Sequence, residues 1–263
     1  MKISTKIPPL KVACFLAMAM LLGVATANEQ AAALIAEGDR LDAQMNSEDA
    51  LKAYLQAEAL NPKDPDLLIK IAKQYGESTV DAREPATKLE RSEKALEYSL
   101  RAVALDQQHA DAHLAVAICY GRLLNQVPAR TKVEYSREVK QYTERALALD
   151  PKSDYAWHML GRWHQGAANL GGLTKGIVKL VYGGLPPASL DDSAKYLEKA
   201  VALKPDRVSH HIELGRTYAS MGRVDDARMA INKGLALGDQ ERDDPNTKAR
   251  GRETLQELEK KYN

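Results

Sequence analysis

Histidine is the side chain best able to ligate a metal or move a proton near neutral pH, and the sequence holds six. His113, His158, His164 and His211 fall within stretches of helical spacing, but they do not assemble a site. His158 and His164 are six residues apart and face different directions on a helix. No Cys or carboxylate stands where it would complete a tetrahedral set. His113, His164 and His211 occupy positions suited to large packing side chains, so packing is their expected role. The stretch GGLTKGIVK (171–179) has glycines and lysines in the manner of a phosphate loop. Such a loop needs Gly-Lys followed by Ser or Thr, whereas Ile177 follows Gly176. Nucleophile elbows, zinc-protease motifs and dinucleotide fingerprints do not occur. The expectation is a protein that is not an enzyme and uses neither cofactor nor metal.

Recognition chemistry is left. Lys73, Arg162 and Arg216 hold equivalent places in three recurring segments. If the first helix of each segment lines an inner groove, its second, fifth and ninth positions face that groove. This selects Asp66, Ile69 and Lys73; Asp111, Leu114 and Ile118; Tyr155, His158 and Arg162; Ser209, Ile212 and Arg216. The best candidates for partner contact are Lys73, Asp111, Tyr155, His158, Arg162 and Arg216. Arginine grips a carboxylate through two parallel hydrogen bonds, so an acidic peptide or the C-terminal segment of a partner protein is the expected ligand. The competing expectation is that these charges are solvated or paired with neighbours such as Glu213.

A second candidate surface is GLTKGIVKLVYGG (172–184). Leu173, Ile177, Leu180 and Val181 share one helical face, with Lys175 and Lys179 beside it. Packing back onto the rest of the protein is the favoured expectation. Contact with a partner or an anionic membrane surface is the alternative.

These residues are positioned by a phrase written five times along the sequence. ALKAYLQAEALNP (50–62) recurs as KALEYSLRAVALD (94–106), VKQYTERALALDP (139–151), SAKYLEKAVALKP (193–205) and DARMAINKGLALG (226–238). Ala50, Tyr54 and Ala57 share a helical face, and Pro62 stops the helix. Before it, Leu34, Gly38 and Leu41 repeat the spacing. Small residues let two antiparallel helices approach and large ones fill the space beside them. One such hairpin cannot bury its own face, so neighbours must stack on it.

The spacing resembles the 34-residue tetratricopeptide pattern. The last copy fits it without a gap through His211, Leu214-Gly215, Tyr218 and Ala227. Trp157, Leu160-Gly161 and His164 open the fourth, His113, Val116-Ala117 and Tyr120 the third, and Leu68, Ile71-Ala72 and Tyr75 the second. The expected fold is an all-α superhelix of about five such hairpins (31–62, 65–107, 110–151, 154–205, 208–239) with a capping helix near 245–262. Leu255, Leu258 and Tyr262 form that helix's thin apolar stripe. Repeat ends at Pro62, Gln107, Pro151, Pro205 and Asp239 lie 45, 44, 54 and 34 residues apart. Three hairpins therefore carry long insertions. Each insertion contains proline and is expected to break the helices rather than lengthen them. Asp64-Pro65, Asp244-Pro245 and Ser189-Leu190-Asp191-Asp192 read as helix starts.

The long insertion narrows the resemblance. Gly161-Arg162-Trp163, an apolar-basic segment around 173–182, and Gly184-Leu185-Pro186-Pro187-Ala188-Ser189 are similar to the signature region of the regulator of microtubule dynamics family. The similarity extends over roughly 45–262. It implies a helical-repeat fold with these insertions. The microtubule association of animal members is not matched to any residue motif here.

Residues 1–27 have the character of an export signal. Lys2, Lys6 and Lys11 precede the apolar run VACFLAMAMLLGVA, which ends at Ala25-Thr26-Ala27. That run is too short to span a bilayer comfortably. Cys14 permits a lipid-anchor reading, disfavoured because most of the apolar run follows it. The mature protein (28–263) is then expected to be periplasmic or secreted. The whole sequence holds 37 basic and 36 acidic residues, so no basic excess points to nucleic acid. Cys119, alone in the mature protein, cannot form an internal disulfide. The function expected is a protein-binding scaffold. The alternatives are a membrane-associated assembly factor docking through 172–184 and a microtubule-dynamics regulator.

Overall fold

The computed structural model describes residues 28–262, and every regular element among them is a helix. The export segment and cleavage expected within residues 1–27, with Cys14, lie outside the described residues. Helix α1 occupies 28–43. It is followed by α2 (Ser47–Leu60), α3 (Pro65–Glu77), α4 (Pro85–Leu105), α5 (Ala110–Leu123) and α6 (Ala129–Leu149). Then come α7 (Asp154–Ala168), α8 (Gly172–Tyr182), α9 (Leu190–Leu203), α10 (Val208–Ser220), α11 (Val224–Ala236) and α12 (Asp244–Tyr262).

Local chemistry starts several of these helices. Asp64 accepts the Leu67 N–H and Pro65 follows at the first helical position, where a missing N–H costs nothing. Ser153 caps α7 by accepting from Ala156. Ser189 accepts from the Asp192 N–H while its hydroxyl donates to the Asp192 carboxylate, opening α9.

The helices pair as hairpins and stack in sequence order, giving the expected all-α superhelix. α3 packs on α4, α5 on α6, α7 on α9 and α10 on α11, and each hairpin meets the next through α4·α5, α6·α7 and α9·α10. The first helices also meet one another, α3 with α5, α5 with α7 and α7 with α10, forming an inner row that α12 extends by packing on α10. Close approach depends on small residues at the crossings. A Cβ on Gly161 would lie 2.6 Å from Leu197 Cγ, and one on Gly215 would lie 2.5 Å from Ile231 Cγ1. Leu197 and Ile231 are fully buried, each contributing about 2 kcal/mol by transfer from water.

Pro186 and Pro187 separate α8 from α9 as expected, but the expectation is corrected for the first two insertions, and so is the reading of Asp244 as a cap. Pro85 stands in the first turn of α4 and Pro128 at the N-cap of α6. The prolines therefore start long helices, and the extra residues lengthen α4 and α6 to 21 residues each. Asp244 is itself the first residue of α12. Its carboxylate turns back to accept the N–H groups of Gln240 and Glu241, at 2.7 and 2.8 Å.

The favoured packing of 172–184 is corrected as well. Segment 172–182 is helical, but its apolar face is left open. Leu173 and Leu180 are 81% and 87% exposed, and Ile177 and Val181 are exposed beside them. The helix is held by its ends. Lys175 Nζ donates to the Ala168 carbonyl at 2.8 Å, and the Arg137 guanidinium donates to the carbonyls of Tyr182 and Gly184. Gly183 and Gly184, at φ 77° and 83°, make the left-handed exit that glycine allows.

Candidate binding face

The inner row carries a concentration of charge centred on a residue that the sequence offered only as a neighbour. Glu213, on α10, is 1% exposed. Arg216 approaches one turn away at 2.8 Å, Arg162 comes from α7 at 3.9 Å, and Arg250 comes from α12 at 3.8 Å. Burial pushes the Glu213 carboxyl up. The three guanidiniums outweigh that and hold it below the usual glutamate range. Glu213, with Asp243 3.6 Å from Arg250, thus neutralises the three cations only in part. Arg162 keeps 45% of its side-chain surface exposed, and its guanidinium makes no hydrogen bond among the described residues.

Beside this cluster runs a line of polar side chains. Asp154 Oδ2 lies 2.8 Å from His210 Nε2, and His210 Nδ1 lies 3.1 Å from His158 Nδ1. Geometry fixes the tautomers. His210 donates from Nε2 to the carboxylate, which leaves its Nδ1 as an acceptor, so His158 Nδ1–H donates to it. Burial holds His158 well below 6.5 and is reinforced by His210 and the arginines. Burial also lowers His210, although its bond to Asp154 works the other way. Tyr155 stacks on His158 with ring centroids 5.1 Å apart, and Arg207 lies over the Tyr155 ring while pairing with Asp154 at 3.1 Å.

The remaining sequence candidates are placed as follows. Lys73 is engaged by Asp42 at 2.6 Å and Glu77 at 3.5 Å. Asp111 is exposed in the first turn of α5. Asp66 pairs with His109 at 3.0 Å, while Ile69 and Ile118 are half-buried and Leu114 is buried. Tyr155, His158, Arg162 and Arg216 come together, whereas Lys73 and Asp111 stand on other helices. Ile212 does not face a groove. It is fully buried against Val208 and Ile231, under the glycines of α11 and α12 at Gly234 and Gly251. Ser209 is buried too. The capping helix covers this end of the inner row, which position counting does not reveal. His113, His164 and His211 are buried as packing residues. Among the described residues no cluster of three metal-ligating side chains occurs.

Sequence reasoning missed Arg207, His210, Arg250 and the connector 239–243. That connector crosses the same face. Glu241 pairs with Arg207, Asp243 lies 3.6 Å from Arg250, and Arg242 reaches Asp81 and the Met45 carbonyl on the first two hairpins. The one available signal was the run Val208–Gly215 in α10, where Glu213 sits among residues of core character and all eight prove buried.

Comparison with known proteins settles the lineage. The family model described as "Regulator of microtubule dynamics protein 1-3" matches residues 34–259. The protein belongs to this family. Regulator of microtubule dynamics protein 1 of Caenorhabditis elegans is 25% identical over 141 residues, which are 54% of this chain and 62% of that protein. The Bos taurus protein of the same name is 24% identical over 49% of this chain and 41% of its own length. The matches thus span about half the length of these curated relatives. Among solved structures, a thermophilic TPR protein of Thermus thermophilus superposes with a TM-score of 0.61 at 21% identity, covering 86% of this chain and 99% of that one. Pseudomonas aeruginosa pilF gives 0.52 at 17% identity over 90% and 91%. This member of the regulator of microtubule dynamics family therefore has a tetratricopeptide-type superhelix.

Proposed function

We propose that this family member is a non-catalytic interaction scaffold that takes an acidic peptide, or the C-terminal segment of a partner protein, on its inner face, and that it works outside the cytoplasm after cleavage near Ala27. One observation carries the reading. Arg162, with 45% of its side-chain surface exposed, has unused donors beside two further arginines that approach the same buried carboxylate. A site of this kind has positive charge to spare and planar donors suited to carboxylate. Anisotropy titration of a fluorescein-labelled acidic peptide against the mature protein tests it. Arg162→Ala is expected to weaken binding at least fivefold with at most a small drop in melting temperature. Equal binding by the variant counts against the reading.

A second reading rests on α8, whose open apolar face and two lysines suit a membrane-associated accessory factor. Flotation with anionic liposomes, with and without residues 172–182, separates it from the first. Microtubule regulation, which the relatives' names state, is tested by co-sedimentation with polymerised tubulin.

A further inference from the structure

The inner face is already occupied by a segment of the same polypeptide. The connector Asp239-Gln240-Glu241-Arg242-Asp243-Asp244 lays carboxylate, guanidinium and carboxylate across it in turn. Glu241 binds Arg207, the residue that also pairs with Asp154 and covers Tyr155. Burial raises the Tyr155 hydroxyl of α7, and Glu241 adds to the rise. Burial raises the Glu241 carboxyl too, against the pull of Arg207. Asp243 meets Arg250, which faces Glu213 from the other side. The backbone between them is shaped by the Asp244 carboxylate and by Gln240 Nε2, which donates to the Asp206 carbonyl at 3.0 Å.

Arg242 fastens this segment at its far end. Its Nε donates to Asp81 at 3.0 Å, and its terminal nitrogens donate to Asp81 and to the Met45 carbonyl. Met45 is in the left-handed region at φ 58°, the one non-glycine at positive φ among the described residues. An L residue held there carries local strain, so the turn that receives Arg242 is unusual in its own right. The contact joins residues 161 and 197 positions apart.

We infer that the 239–244 connector is an internal ligand of the inner face, and that the external partner is an acidic segment that must displace it. This rests on the acidic-ligand reading above. Glu241 and Asp243 lie in a turn closed by the Asp244 N–H on the Glu241 carbonyl at 3.0 Å, and their carboxylates reach Arg207 and Arg250. A partner with carboxylates at the same spacing would meet Arg207 and Arg250, with Arg162 open between the two systems. Release of Arg242 from Asp81 and Met45 is the step that frees the face.

The test uses a labelled peptide of the connector's own sequence, Gly-Asp-Gln-Glu-Arg-Asp-Asp, titrated by anisotropy against the mature protein. Arg242→Ala and Asp81→Asn open the fastening from opposite sides, so one variant stands if the other fails to fold. Both are expected to bind the peptide at least tenfold more tightly than the unaltered protein. A control peptide with Gln and Asn in place of Glu and Asp is expected to show no gain. If the unaltered protein and both variants bind with equal affinity, the internal-ligand inference falls and the acidic-ligand reading stands. If no form binds the acidic peptide, both fall.

Discussion

His210 and His158 face each other through their Nδ1 atoms at 3.1 Å, with both rings out of contact with water and Asp154 fixing the direction of the bond. The pair is an acid-sensitive joint between α7 and α10, because protonating both rings would set two Nδ1–H donors against each other.

Burial is the leading cause that lowers His158, His210, His164 and His211 below the ordinary histidine value of 6.5. The unfolded state therefore takes up protons that the folded state refuses. Stability is fully present above pH 6.5 and is lost as pH falls through the lowered folded values. Each histidine that remains neutral in the fold contributes a slope of up to ~1.4 kcal/mol per pH unit in that window. Urea unfolding at pH 7.5, 6.5 and 5.5 is expected to show the decline. His210→Gln is expected to make it shallower by roughly one proton. An unchanged slope in the variant would place the acid sensitivity elsewhere.

Gly215→Ala is expected to cost about 1–3 kcal/mol, since the new methyl would lie 2.5 Å from Ile231 Cγ1 and 2.9 Å from the Ala227 carbonyl. Gly166→Ala, also within a helix but with nothing inside 4 Å of the added carbon, is expected to stabilise by about 0.5–1 kcal/mol. Opposite signs in thermal denaturation are the outcome that supports close helix crossing at Gly215.

The arginines around Glu213 are not equivalent. Arg216 donates two hydrogen bonds to the buried carboxylate, at 2.8 and 3.1 Å. Arg216→Ala is expected to destabilise by about 1–3 kcal/mol by leaving that charge under-compensated. Adding Glu213→Gln is expected to recover part of the loss. Arg162, longer-range and partly exposed, is expected to cost under about 1 kcal/mol. A double-mutant cycle in urea reads all three. It also makes Arg162→Ala, rather than a joint Arg162 and Arg216 variant, the substitution suited to testing ligand capture.

What the sequence made legible is what repeats. The alternation of small and large residues at Leu34, Gly38, Ala50 and Tyr54 specified hairpins because the same spacing recurs and one helix face explains each copy. Pro85 and Pro128 show where this stops, since a proline that breaks a helix and one that begins the next are the same residue in a one-dimensional pattern. The apolar face of α8 was visible at Leu173, Ile177 and Leu180, but a period says that a face exists and not what covers it. Ile212 was counted into the groove because nothing in its own hairpin shows that α12 lies across it. Glu213 with Arg162, Arg216 and Arg250 unites three helices, and Arg242 with Asp81 joins the last connector to the second hairpin. Neither relationship leaves a periodic trace.

Stacked hairpins that touch only their neighbours can fray from either terminus, like a zipper with two loose ends. The bridge from Arg242 to Asp81 and Met45 ties the last connector to the first two hairpins. Loosening that connector also takes a contact away from the earliest turns, so fraying at one end is expected to be felt at the other.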